Sequence, residues 1–201
     1  MPTHRMHMTT LEIDHSRTPA DIAALVATLR PSIPTITSHT YSPAHRARLV
    51  KPQISYDLSA FAVSFLPAAG EPLAAPSAST DQPTTDGGQQ QAPSNDGYTY
   101  HHLRRDTWAL SSATGVQVAS RYQVPSAHIT LGRYLRQDGH ADPAQRAAWV
   151  RAIERANAWL AEEVWGRPAG EWLVGQERGL DARCGALWYG GGRTIQGGEG
   201  F

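Results

Sequence analysis

The chain has 201 residues, with 18 Lys and Arg balanced by 18 Asp and Glu, and a single cysteine. This length holds one substantial domain, or two small lobes sharing a core. Charge neutrality excludes a bulk electrostatic binder of double-stranded DNA, which carries a large cationic excess. The lone Cys184 excludes an internal disulfide framework and a Cys-rich zinc site. No apolar run reaches the length of a membrane span, and the N-terminus MPTHRMHMTTLEID lacks the apolar stretch of a secretory signal. The expectation is a soluble intracellular protein, cytoplasmic or nuclear, monomeric and without a membrane partner.

In chain order, RMHMTTLEI (Arg5 to Ile13) alternates and predicts a strand. Thr18 then stands as an N-cap, with Pro19 at the first helical position and Asp21 in the first turn. Ile22, Leu25, Val26 and Leu29 recur at helical spacing until Pro31. Two strands follow, RARLVKPQISY and SAFAVSFLP, joined by a turn near Asp57. From Ala68 to Gly97 the chain is rich in Pro, Ser, Thr, Gln and Gly and holds one large aliphatic residue, Leu73. Such a segment buries too little apolar surface to offset its ordering entropy, so it is expected to be a flexible insertion between a first lobe (1–67) and a second (98–201).

A helix from about Thr99 to Thr114, ended by Gly115, opens the second lobe. AHITLGRYL (Ala127 to Leu135) reads as a strand. Asp142, Pro143 and Gln145 form the start of a helix whose apolar stripe is Trp149, Ile153, Ala156, Leu160 and Val164. Gly166 and Pro168 stop it, and the runs EWLVGQE and GALWYG read as two more strands. Each half thus reads strand, helix, strand, strand, which predicts an α+β fold built by internal duplication. Two antiparallel sheets flanked by helices would surround a cleft.

Both halves open on the same residue types, His7-Met8-Thr9 and His128-Ile129-Thr130. With nine histidines, two H-x-T matches are close to what chance supplies. Their weight comes from position, since each sits on the first strand of its unit and precedes a capped amphipathic helix. On a strand, residues i and i+2 share a face. Two such strands facing one cleft would bring two imidazoles and two hydroxyls together. Paired histidines suit general acid and base work, and hydroxyls suit donation to phosphate oxygens.

These motifs resemble the 2H phosphoesterase superfamily, which includes 2'-5' RNA ligase-like proteins and cyclic nucleotide phosphodiesterases. HMTTLEIDHSRT, RARLVKPQISYD, ASRYQVPSAHITLGRYL and LWYGGGRTI are similar to a fungal branch of it. The resemblance covers nearly all of the chain outside 68–97. It implies metal-independent hydrolysis of a 2',3'-cyclic nucleotide or RNA end, with His7 and His128 catalytic, Thr9 and Thr130 on the phosphate, and no cofactor. Members carry further structure before motif one, so the resemblance also implies an N-terminal truncation. A non-catalytic binder of nucleotides or RNA ends is the alternative.

Alternation from His128 places Tyr134 on the cleft face, where it would stack on a base or bond a phosphate, and Arg133 on the opposite face. Arg46, Arg48 and Lys51 form either a nucleotide-facing or a solvated strand face. Gly190-Gly191-Gly192 lacks the Lys-Ser/Thr of a P-loop and reads as a turn presenting Tyr189 to ligand. His4, His15, His39, His101 and His102 show no H-E-x-x-H pattern, so no metal site is expected. Cys184 reads as a buried small apolar residue.

Overall fold

A computed structural model of the chain describes residues 2–71, 96–120, 126–187 and 190–201. Most of the expected insertion, 72–95, lies outside the described residues, and so does Tyr189.

The architecture is α+β. Strands β1 (Arg48–Tyr56) and β2 (Ala60–Pro67) form an antiparallel hairpin. Its turn is set by Asp57, whose carboxylate accepts the amides of Ser59 and Ala60 at 2.6 and 2.8 Å. The hairpin takes β3 (Ala127–Arg133) on one side and the short β4 (Trp172–Leu173) on the other, giving the order β3-β2-β1-β4, all antiparallel. The four-stranded sheet is therefore shared between the two halves of the sequence. A second, two-stranded sheet pairs β5 (Asp181–Cys184) with β6 (Arg193–Gly197).

Helix α1 (Pro19–Leu29) begins as its sequence requires, with a reciprocal capping box between Thr18 and Asp21. A short α2 (Ile33–Thr37) follows. Helix α3 (Tyr100–Ser112) starts at Thr99, whose amide donates to His102 Nδ1 at 3.1 Å, and is followed by Gly115 at φ +89°. After one turn of helix, α4 (Asp138–Ala141), the long α5 (Pro143–Glu163) is capped by Asp142 through the amide of Ala144. The core joins Leu49, Tyr98, Tyr100, Leu103, Ala127 and Val174, with Met8, Phe65 and Trp172 packed against it. Cys184 is buried.

Helix α5 also closes the outer edge of β1 beyond its two-residue pairing with β4. The Asn157 carboxamide accepts from Ile54 N at 2.7 Å and donates to Ile54 O at 3.0 Å. Just past the helix, Trp165 Nε1 donates to Pro52 O at 2.8 Å. Side chains thus satisfy groups that an open edge would offer to another strand.

Two elements differ from the sequence reading. Arg5 to Ile13 forms no continuous strand: a single 3-10 turn, Thr3–Arg5, leads into an isolated bridge at Met8. The strand expected over EWLVGQE shrinks to β4, and Gly185 to Leu187 lie in a loop between β5 and β6.

Arg48 also departs from the sequence reading. It is 3% exposed and holds three elements together. Nε and Nη2 meet both Asp96 carboxylate oxygens at 3.0 and 2.6 Å, Nη1 donates to Glu171 at 3.0 Å, and Nη2 also donates to Glu71 O at 2.5 Å. It is a buried clamp on both ends of the 72–95 segment, with no role as a solvated or nucleotide-facing cation. Arg48→Ala should destabilise the fold by about 3 kcal/mol, the lower part of the range for breaking a buried ion pair, because Asp96 and Glu171 keep some contact with water. Urea unfolding of the two proteins measures it.

Candidate active site

The bridge between Met8 and Ile129 is antiparallel. Its register sets His7 opposite Thr130 and Thr9 opposite His128. Residues directly opposite share a face, and neighbours along a strand alternate. The four polar side chains therefore stand on one face of the sheet, while Met8 turns to the core. His7 is exposed; Thr9, His128 and Thr130 are half-buried.

Both imidazoles are held in the same way. His7 Nδ1 lies 3.0 Å from the carbonyl of Arg5, and His128 Nδ1 lies 3.2 Å from that of Ser126. In each case the partner is two residues upstream. A carbonyl only accepts, so where Nδ1 donates to it Nε2 is the basic nitrogen of the neutral ring; at His128 the Ser126 hydroxyl, equally close to Nδ1 at 3.2 Å, is able to donate to an unprotonated Nδ1 instead.

Because motif one has no ladder of its own, other groups fix it. Tyr100, 1% exposed on α3, donates its hydroxyl to Thr9 O at 2.6 Å. One turn on, Arg104 Nε donates to Thr10 O at 3.1 Å. Further along, the amides of Ala119 and Ser120 donate to Ile13 O. On the other side, Gly190 packs directly on the Arg5 carbonyl that orients His7. Its φ of +72° and the absence of a Cβ are both required there, since any side chain would overlap Arg5. Arg183 holds this loop by donating to Gly190 O and Gly191 O at 3.3 and 3.0 Å. Sequence reading identified the glycine run as a turn but missed its contact with motif one. Tyr100 and Arg104 carried no motif by which to find them.

Tyr134 is not with the motifs. The β2–β3 register pairs Ala62 with Thr130 but Phe61 with Gly132, so Leu131 is an extra residue, a β-bulge. The bulge resets alternation beyond it. Arg133, opposite Ala60, joins the face of Thr130 and His128, and Tyr134 turns to the other face. There it meets His140, Trp149 and Phe61, with ring centroids 4.5, 5.8 and 5.8 Å away. Arg46 is also elsewhere, stacked 3.6 Å over the Phe201 ring.

His39, His45, His102 and His140 take part in ring packing or capping, whereas His4, His15 and His101 are exposed. His39 stacks on His45 at 4.0 Å and shares Tyr98, whose hydroxyl donates to Asp106 at 2.9 Å. Among the described residues no three His, Cys, Asp or Glu side chains converge as metal ligands would, and no helix is long and apolar enough to cross a membrane. Comparison with family models, with curated proteins and with solved structures finds no match.

Burial, then the neighbouring His45, lowers the pKa of His39 below the ordinary 6.5. The folded state therefore binds fewer protons than the unfolded chain, so stability should fall as pH drops through 6.5 towards the folded value. Thermal unfolding across this range should show a shallower slope for His39→Gln. A second expectation concerns motif one. Gly190→Ala should displace the Arg5 carbonyl and speed amide hydrogen exchange at residues 6–9, leaving the β1–β2 hairpin protected.

Proposed function

We propose that the chain is a metal-independent cyclic phosphodiesterase of the 2H type, acting on a 2',3'-cyclic nucleotide or RNA end. The observation that carries this reading is the pairing of His7-Met8-Thr9 with His128-Ile129-Thr130 through one bridge, with the same upstream carbonyl bond on both imidazoles. On this reading the repeated motifs are the two halves of a duplicated unit.

The chemistry follows with Nδ1 of each ring donating to its carbonyl. One neutral histidine accepts a proton at Nε2 from the attacking water, and the water oxygen bonds to phosphorus. The other, protonated at Nε2, gives that proton to the ribose oxygen as its bond to phosphorus breaks. The product is a ribose monoester with a free neighbouring hydroxyl. Nδ1 keeps its proton and its carbonyl in both charge states, so neither ring must turn during the exchange. Thr9 and Thr130 donate to the non-bridging oxygens, where charge grows in the transition state.

Hydrolysis of a 2',3'-cyclic nucleotide in excess chelator tests the reading. The rate should be bell-shaped in pH, because one histidine must be neutral while the other is protonated. His7→Ala and His128→Ala should each lower turnover by about two to four orders of magnitude. Thr9→Ala and Thr130→Ala should cost about 1–3 kcal/mol of transition-state stabilisation. Wild-type turnover in either histidine variant, or loss of activity on chelation that a divalent ion restores, would sink the mechanism. Binding without turnover by the wild-type chain would favour the non-catalytic binder.

A further inference from the structure

The sheet face that carries the His/Thr pairs extends well beyond them, and two irregularities extend it. In β1, Val50 pairs with Leu66 and Gln53 with Ser64, leaving Lys51 and Pro52 opposite Phe65 alone. Lys51 adopts φ +53°, a left-handed conformation that non-glycine residues rarely take. Without this bulge, plain alternation from Val50 would turn Gln53 and Ser55 to the core side. With it, Gln53 faces with Ser64 and Ser55 faces with Ala62. Across β2, Ser64 is itself opposite His128, and Ala62 is opposite Thr130. The bulge at Leu131 does the same service in β3, bringing Arg133 to this face.

Two rows result. One runs Thr9, His128, Ser64, Gln53, and the other His7, Thr130, Ala62, Ser55. From the strand spacing, Ser64 lies about 5 Å and Gln53 about 10 Å from His128 in the plane of the sheet. Gln53, Ser55 and Arg133 are exposed and Ser64 is half-buried. The Ser55 and Ser64 hydroxyls lie 2.7 Å apart, and each keeps capacity for a further hydrogen bond. Bulges concentrate where a strand must re-aim side chains beside a site, and here both re-aim hydrogen-bonding or cationic groups to the same face.

The geometry points to a second subsite on this face, formed by Ser64, Gln53, Ser55 and Arg133, that holds the nucleotide preceding the cyclic phosphate. The inference rests on the phosphodiesterase reading and narrows it to an oligonucleotide end in preference to a mononucleotide. The exposed guanidinium of Arg133 places a positive charge on this face, which suits a phosphodiester. Neutral hydroxyls and a carboxamide match ribose and base edges. A mononucleotide would fill only the His/Thr end.

The test compares adenosine 2',3'-cyclic phosphate with a diadenosine dinucleotide ending in the same cyclic phosphate. Wild-type kcat/KM should be about tenfold or more higher for the dinucleotide. Arg133→Ala and Gln53→Ala should each erase most of that advantage, lowering kcat/KM for the dinucleotide far more than for the mononucleotide. Both positions are exposed, and an unchanged unfolding midpoint confirms that each variant folds. Equal use of the two substrates by the wild-type chain, or an advantage that survives both variants, overturns the subsite and leaves the phosphodiesterase reading standing. Hydrolysis of neither substrate overturns that reading and takes the subsite with it.

Discussion

One backbone bridge, from Met8 to Ile129, decides whether the two H-x-T motifs share a face. A one-residue slip in that register would turn His7 and Thr9 to the core face and leave His128 and Thr130 alone. Yet a bridge of this size is weak. Ordering each residue costs about 1–2 kcal/mol of entropy, and a hydrogen bond returns about 1 kcal/mol net. The segment stays in register because Met8 is pinned in the core and because Tyr100 and Arg104 catch its carbonyls from α3. Gly190 closes the other side. The site is held by tertiary contacts around a short pairing, and its order depends on α3 and on the β5–β6 loop.

The same logic explains where strain is tolerated. Lys51 at φ +53° costs of order 1–3 kcal/mol against an extended residue. Its surroundings hold it there: Lys51 Nζ bonds Glu71 at 2.7 Å, Ile54 is tied to Asn157 of α5, and Pro52 O to Trp165 just past that helix. That carboxylate is held down at about 2 by Lys51. Arg48, three residues upstream, fixes Glu71 from the other direction through its carbonyl. The bulge that re-aims Gln53 and Ser55 therefore lies between a buried arginine clamp and a helix-capped edge.

Much of the frame was legible in the sequence, for identifiable reasons. Helices α1 and α5 begin at Thr18-Pro19 and Asp142-Pro143 because a capping oxygen and a fixed proline φ act locally. The β1–β2 hairpin follows from its alternation and from Asp57. Local signals stopped being sufficient where the chain departs from regular pairing. Strict alternation put Tyr134 beside His128 because nothing in GRYL announces an extra residue at Leu131. Arg48 looked like one of a row of surface cations, since its partners Asp96 and Glu171 are distant in sequence. The strand expected around His7 is a bridge and a 3-10 turn, because its neighbours supply too few backbone partners for a ladder.

The spacing within each H-x-T motif is less sensitive to such departures, and the reason is geometric. A period of two needs only three residues to set a face, so His and Thr share one in each motif whatever happens beyond them. Antiparallel pairing at the central residue then crosses the types, histidine against threonine, across the bridge. Each imidazole thereby gains a hydroxyl-bearing neighbour from the other half of the chain as well as from its own. The two carbonyls beside Nδ1 come from within each motif's own strand direction, at Arg5 and Ser126. Orientation of each ring is thus a local property, and only the assembly of the pair is a tertiary one. A chain in which motif one detached would keep His128 correctly oriented and lose the arrangement of four groups together.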